Sequence, residues 1–157
     1  MRLTRAGEYA IRCLLYLSAK NGGAVVSRRE IASAMEIPDS FMSKIAQQLA
    51  RAGFLQIIQG TSGGYRLLVS PEKLTLLDVV ETMIGEIYLN DCLMSPNPCA
   101  RNQSCAVYRV WEKAKNQLRK TLREATFSRL LQEESCFSPL ITFKGLKGKR
   151  RISKLSL

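Results

Sequence analysis

The 157-residue sequence predicts a mainly α-helical protein with a small β-hairpin. The first observation is a pair of short helical patterns joined by a tight turn at residues 27–52, which is typical of a helix-turn-helix. The second is a hairpin pattern that follows at once, at residues 54–70. The third is a long amphipathic pattern that starts near residue 105. In this order, they indicate a winged helix-turn-helix followed by a long C-terminal dimerisation helix.

A first helix is expected at residues 4–20, ahead of the helix-turn-helix. Its apolar residues recur at steps of three and four and form one buried stripe, which comprises Ala6, Tyr9, Ala10, Cys13, Leu14 and Leu17. The NGG run at residues 21–23 supplies the glycine that commonly ends a helix. The segment resembles a signal peptide only superficially, because Glu8 and Arg12 interrupt its apolar run.

The helix-turn-helix begins with the pattern of a capping box. Ser27 can accept from the N–H of Glu30, and Glu30 can reach back to the N–H of Ser27. Pro38 then breaks the helix, because proline disfavours helical geometry in the preceding residue. Asp39 or Ser40 can cap the second helix. That helix is expected at residues 40–52 and buries Met42, Ile45 and Leu49.

The wing and one further helix follow. Strands are expected at residues 54–59 and 65–70, with the glycine-rich turn GTSGG between them. Thr75 and Asp78 form a second capping pattern, and Gly85 closes the helix that it opens.

The chain is expected to divide into four parts. Residues 1–85 form the winged helix-turn-helix domain, and residues 86–104 form a cysteine loop. Residues 105–134 form the dimerisation helix and a short helix after it, because a polar helix with a narrow apolar seam suits pairing with a second copy. Packing of that helix on its own domain is the alternative. Residues 135–157 are a basic tail with little to bury.

The charge distribution favours a polyanionic partner. The net charge is +11. Residues 1–66 hold nine basic and four acidic side chains, and residues 144–157 hold six basic and no acidic ones. The middle of the chain is balanced. A basic excess suits nucleic acid or anionic lipid, although it can also serve solubility alone.

The composition argues against a membrane span and a disulfide scaffold. No run approaches the 18 or so apolar residues that a membrane helix needs. A cytoplasmic protein is therefore expected, in which five cysteines suggest metal binding or redox chemistry. The chain has no histidine, the usual base beside a nucleophilic cysteine, so an enzyme with a small-molecule substrate is not expected.

Three of the cysteines stand close together in the sequence, at Cys92, Cys99 and Cys105. Six and five residues separate them, and the intervening SPNPCARNQ run is rich in residues that break regular structure. This spacing is wider than the paired cysteines of zinc ribbons. Metal binding, a disulfide and simple packing all remain open on spacing alone.

Five segments resemble the bacterial winged-helix regulators typified by the iron–sulfur regulator IscR and the nitric-oxide sensor NsrR. They are MRLTRAGEYAIRCLLYL, SRREIASAMEIPDSFMSKIAQQLARAGFL, GTSGGYRL, LTLLDVVE and the three cysteines before VW, all within residues 1 to 134. The resemblance implies a homodimeric transcription regulator that binds a double-stranded DNA operator. It also implies an iron–sulfur cofactor, with 2Fe-2S as the first expectation and 4Fe-4S as the alternative.

The resemblance places the second helix of the helix-turn-helix in the major groove. Its first turn then presents Ser40, Phe41, Ser43 and Lys44 to the DNA. Lysine suits guanine or phosphate, serine suits either, and phenylalanine suits a thymine methyl. Arg28 and Arg29, on the preceding helix, are better placed for phosphates, although only one of them can be well aimed, and plain solvated charge is the alternative.

The wing is expected in the minor groove. Relatives of the IscR type often carry an arginine before the glycine-rich turn, which suits a narrow minor groove, whereas this chain has Gln59. Gln59, Thr61 and Ser62 can still form hydrogen bonds with DNA.

Cys92, Cys99 and Cys105 are the cluster ligands that the resemblance implies, since thiolates are the usual ligands of iron–sulfur centres. The resemblance does not name the fourth ligand directly, because Tyr108 stands where IscR-like members carry a histidine. In other branches an acidic residue on the first helix of the partner subunit completes the site, and Glu8 stands at the matching place. An ion pair with Arg12 is the alternative role for Glu8, and Cys136 is another possible ligand.

The expected function is control of operator affinity by the cluster, in response to iron–sulfur supply, redox state or nitric oxide. A regulator of the same fold that uses its thiols without a cluster is the alternative.

Overall fold

The computed structural model describes residues 4–20, 23–94 and 99–133. Within them lie helices α1 to α6, hairpin strands β1 and β2, and one 3-10 turn at Asp91–Leu93. The bounds, in chain order, are α1 Arg5–Ala19, α2 Arg28–Ala34, α3 Asp39–Arg51, β1 Leu55–Ile58, β2 Gly64–Leu67, α4 Leu76–Ile84, α5 Ala106–Glu124 and α6 Phe127–Gln132. The predicted fold class, mainly α with a small hairpin, is confirmed. No helix in these ranges is long and apolar enough to cross a membrane.

The core is built around α1. Thr4 caps this helix, because its hydroxyl oxygen accepts from the N–H of Gly7 at 3.2 Å. The predicted apolar stripe faces inward, and Ala10, Cys13 and Leu14 have no exposed surface. α1 packs against α3, α4, α6 and β2. Asn21 and Gly22 of the predicted C-terminal cap lie outside the described residues.

Ser27 caps α2 as predicted, with its Oγ accepting from the N–H of Glu30 at 3.1 Å. The second half of the predicted capping box is wrong, because Glu30 turns its carboxylate to α1. There it pairs with Lys20 at 2.8 Å and accepts from the hydroxyl of Tyr16 at 2.9 Å. These bonds hold the pKa of Glu30 below its usual range. They also tie the first helix of the helix-turn-helix to α1.

A tight backbone turn joins α2 to α3. The N–H of Ile37 donates to the carbonyl of Ala32 at 2.9 Å, and Glu36 adopts a left-handed conformation with φ 51°. This turn buries Ile37 in the core.

The predicted N-cap of α3, Asp39 or Ser40, is wrong, although the helix begins within one residue of the predicted start. The helix begins at Asp39, and its N-cap is Pro38, which makes no side-chain hydrogen bond. The carbonyl of Pro38 accepts from the N–H of Phe41 instead, at 2.9 Å.

The hairpin is anchored to the helical body by a residue that precedes α2. The N–H of Val26 donates to the carbonyl of Tyr65 at 2.9 Å, and the N–H of Tyr65 donates back at 2.8 Å. The strands pair in register from Leu55 with Leu67 to Ile58 with Gly64, so both are shorter than predicted. A Cβ on Gly64 would overlap the carbonyl oxygen of Val26, so this close approach requires glycine.

The C-terminal elements return to the same core. Thr75 and Asp78 form the predicted capping box of α4, and Gly85 ends this helix with φ 82°. After α5, the N–H of Phe127 donates to the carbonyl of Leu74 at 2.9 Å, and the Phe127 ring is fully buried in the core around α1. The division into four parts stays a prediction.

We predict that Gly64→Ala destabilises the protein by about 1–3 kcal/mol, because the added methyl overlaps backbone rather than a mobile side chain. Chemical unfolding measures the change. Ser62→Ala, at the exposed tip of the same hairpin, is the control and should leave the free energy of unfolding unchanged within about 0.5 kcal/mol. Equal stability of both variants would contradict the anchoring role of Val26.

Candidate DNA-binding face and cysteine segment

The outer face of α3 is polar. Met42, Ile45, Ala46 and Leu49 are buried on its inner side. Ser40 and Lys44, both predicted DNA contacts, are exposed opposite them. Helical spacing places the exposed side chains of Gln47 and Arg51 on the same face. Sequence reasoning stopped at the first turn and missed these two, although extending the same period would have found them.

Arg28 reaches from α2 to the first turn of α3. Its Nη1 donates to the Oγ of Ser43 at 3.1 Å, and its Nε lies 3.5 Å from an Asp39 carboxylate oxygen. The structure therefore brings together two predicted DNA contacts, Arg28 and Ser43, and adds Asp39, which the sequence suggested only as a helix cap.

Phe41 is more enclosed than expected. Its ring meets that of Tyr9 on α1 edge-on, with 5.1 Å between centroids, and the side chain is half-buried. The neighbouring Arg12 lies over the Tyr9 ring and donates to the carbonyl of Met35 at 3.3 Å. Only part of the Phe41 ring is therefore accessible to a thymine methyl.

The tip of the wing presents the three polar residues predicted there. Gln59, Thr61 and Ser62 are all exposed. The N–H of Gly63 donates to the carbonyl of Gly60 at 3.0 Å and closes the turn beneath them.

The three predicted ligand cysteines are half-buried and lie on different local structures. Cys92 is in the 3-10 turn, and Cys99 precedes the turn at residues 100–104, where its carbonyl accepts from the N–H of Asn102 at 3.4 Å. Cys105 is the N-cap of α5, where its sulfur accepts from the N–H of Tyr108 at 3.4 Å. Residues 95–98, inside the predicted loop, and Cys136 lie outside the described residues. Among the residues that the structure describes, no three cysteine or acidic side chains are grouped as a metal site.

Glu8 is exposed on the first turn of α1. The alternative role as a partner of Arg12 is not what the structure shows, since Arg12 faces Tyr9 and the carbonyl of Met35. Within the described part of the chain, the Glu8 carboxylate has no ion pair.

A charge network holds α4 against α5. The carboxylate of Glu81 accepts from Arg119 on α5 and, at 3.1 Å, from the N–H of Ile87 just after α4. Glu86 pairs with Lys115 at 2.7 Å, and this pairing holds the pKa of Glu86 below its usual range. Sequence reasoning missed the network, because no local pattern links positions so far apart.

The apolar stripe of α5 changes surroundings along the helix. Leu118 and Leu122, toward its C-terminal end, pack against the small apolar cluster of α4. Toward the N-terminal end the stripe faces solvent, with Val107, Val110 and Trp111 exposed by 59%, 64% and 38%. An apolar surface of this kind beside a polar face is typical of a protein–protein contact.

Cys13 differs from the other described cysteines. It is fully buried in the core, and burial raises the pKa of its thiol from 9.0 to about 12. This position agrees with the buried stripe that the sequence predicts for the first helix.

The fold and these surfaces define a winged-helix DNA-binding protein. The family model of Rrf2, described as an iron-dependent transcriptional regulator, matches residues 3–133. The chain belongs to this family of transcription regulators, which confirms the resemblance seen in the sequence.

Individual relatives agree with the family. The chain is 28% identical over 145 residues to the HTH-type transcriptional regulator NsrR of Shouchella clausii, and the match covers 92% of this chain and 97% of that protein. It is 33% identical over 133 residues to protein aau3 of Rhizobium meliloti, covering 84% and 86%. The structure of CymR, described as the global cysteine regulator of B. subtilis, has the same fold, with a TM-score of 0.70, 21% identity and coverage of 86% and 99%.

We predict that Cys13 resists thiol reagents in the folded protein. A variant that keeps only Cys13, with Ser at the other four cysteines, should react at pH 8 at least about 100-fold more slowly folded than unfolded, since burial blocks access and disfavours the thiolate. A variant that keeps only Cys105 should react readily in both states. Comparable rates for folded and unfolded Cys13 would contradict its burial.

The raised pKa of Cys13 also makes the free energy of unfolding depend on pH. Because the folded pKa is raised, the contribution of Cys13 to stability is full below about pH 9 and is lost as pH rises toward about 12.

Proposed function

We propose that this transcription regulator is a cytoplasmic homodimer whose operator affinity is controlled by an iron–sulfur cluster on Cys92, Cys99 and Cys105. The observation that carries the proposal is the position of these half-buried thiols, between the DNA-binding body and a helix with an exposed apolar stripe. Family membership supports the iron dependence.

The DNA contacts that we propose follow from exposure. Ser40, Ser43 and Lys44 on α3 would meet base edges or phosphates in the major groove, and the accessible part of Phe41 would meet a thymine methyl. Gln59, Thr61 and Ser62 would contact the minor groove from the wing, and Arg28 would contact a phosphate.

The dimer contact that we propose is the exposed part of the α5 stripe. Val107 and Trp111 continue the side of α5 that packs on α4, and Val110 lies at the edge of this stripe. All three stay exposed in the described part of the chain, Trp111 the least. Two such helices pairing would bury these side chains. Two-fold symmetry would then set the distance between the two α3 helices.

The donor set fits an iron–sulfur cluster chemically. Three thiols stand on one segment, and Cys105 begins a 19-residue helix whose first N–H groups favour negative charge. When bound, the cluster would supply a centre that responds to iron, oxidants or nitric oxide. Three ligands leave one position open, and the exposed Glu8 of the partner subunit is our candidate for it, since its carboxylate has no ion pair to the residues that the structure describes. We take 2Fe-2S as the first expectation and 4Fe-4S as the alternative.

The contacts of the cysteine segment, residues 86–105, suggest how a change in it would reach α5 and the DNA-binding body. Its first residues are bonded to Glu81 and Lys115, and its last residue caps α5. A changed segment would therefore shift α5 relative to the DNA-binding body.

We predict that Val110→Asp weakens dimerisation by at least about 2 kcal/mol, roughly 30-fold, because a carboxylate would be buried in the contact. Sedimentation over a concentration series measures it. Asn116→Asp, on the opposite side of α5, adds the same charge and should leave the dimer intact. Equal dimer strength in both variants would show that this stripe is not the contact.

A second experiment tests the cluster. Protein purified without oxygen should be coloured and contain iron and acid-labile sulfide. Replacing Cys92, Cys99 or Cys105 by serine should abolish the colour and the bound iron and sulfide, because each change removes a thiolate ligand. Cys13→Ala should keep full iron content.

Purification without oxygen also tests Glu8 as the fourth cluster ligand. Glu8→Ala should alter the absorption spectrum and speed iron loss, whereas Glu124→Ala, another exposed carboxylate, should change neither. An unaltered spectrum in Glu8→Ala would exclude this ligand.

A cluster-free thiol regulator is the second candidate. Two observations favour it. The described structure does not group Cys92, Cys99 and Cys105 as a metal site, and the fold is similar to that of CymR, which is described as a cysteine regulator. Colourless, iron-free protein that still changes its DNA affinity on oxidation would establish this alternative.

A further inference from the structure

One charged cluster joins the two helices of the helix-turn-helix. Arg28 is the first residue of α2, and both of its partners, Asp39 and Ser43, are on α3. These partners are four residues apart, so they lie on one side of α3. The guanidinium is therefore held across the turn by contacts from Nε and Nη1.

The remaining donors of this guanidinium are available to an outside acceptor. Nη2 of Arg28 carries two N–H groups, and neither is bonded within the described part of the chain. The side chain is half exposed and is bonded to Ser43 on α3.

We propose that Asp39 is a positioning residue for DNA recognition, which with Ser43 holds Arg28 ready to donate to a phosphate of duplex DNA. This inference rests on the proposed DNA contact of Arg28. An arginine loses much rotamer freedom when it is immobilised, and a partner that fixes it beforehand removes that cost from the binding step.

Simple electrostatics gives the opposite expectation for Asp39. Its carboxylate is 69% exposed, at the helix end that faces DNA, so repulsion by the phosphates would weaken binding. A positioning role requires that removing this negative charge weakens binding instead. A positioning role therefore predicts weaker DNA binding when the Asp39 charge is removed, whereas simple repulsion predicts tighter binding.

The experiment measures the affinity of the full-length protein for DNA by fluorescence anisotropy. The probe is a duplex of about 30 base pairs chosen by selection from random sequence, long enough for two half-sites one turn apart. Asp39→Asn is compared with Glu36→Gln, which removes one negative charge from the turn just before α3. Both pairs of side chains are nearly equal in shape.

We expect Asp39→Asn to weaken binding by about three- to tenfold, since the hold on Arg28 is lost, and Glu36→Gln to leave it equal or slightly tighter. In an Arg28→Ala background, Asp39→Asn should produce no further weakening. Thermal unfolding of each variant should match wild type, because an exposed ion pair contributes little to stability.

Two results would overturn the positioning role: tighter binding by Asp39→Asn, or the same weakening with and without Arg28. Failure of the wild-type protein to select any duplex is a separate outcome. It would refute the proposed function, and the inference with it.

Discussion

The carboxylate of Glu81 ties the cysteine segment to both helices that flank it. It accepts from the N–H of Ile87, where the segment leaves α4, and from Arg119 on α5. The pair is only partly exposed, so solvent screens it less than a surface ion pair. The other end of the segment is Cys105, the cap of α5. Because the segment is bonded to α4 and α5 at its first residues and to α5 at its last, a change of shape in between would move α5 against α4 or break these bonds.

The body on the other side of α4 is a single packed core. α1 contacts α3, α4 and α6, and the buried Phe127 closes the core from the C-terminal side. Close-packed interiors transmit displacement rather than absorb it. The two α3 helices of a dimer would therefore follow any movement of the body relative to α5. A modest coupling of about 1–3 kcal/mol is enough for a regulatory change in affinity.

Local patterns in the sequence predicted most of the fold. The stripe of α1, the cap at Ser27 and the capping box at Thr75 each depend on residues within one or two turns, and the structure has all three. The errors arose where a distant partner competes. Glu30 bonds to Tyr16 of α1 and to Lys20 at its end rather than to its own N-cap. The pairing of Val26 with Tyr65 was not predicted at all. The sequence predicted which residues could form the candidate site. It did not predict the ion pair between Asp39 and Arg28 or the bonds of Glu81, because these join residues far apart in the chain.

The central claim is that the cysteine segment governs DNA affinity. The most direct measurement is the dissociation constant for a selected duplex, taken on one oxygen-free preparation before and after chelation removes its iron. The account predicts that the two constants differ by at least about fivefold in buffer of equal salt. Identical constants, from a preparation shown to contain iron at the start, would contradict it.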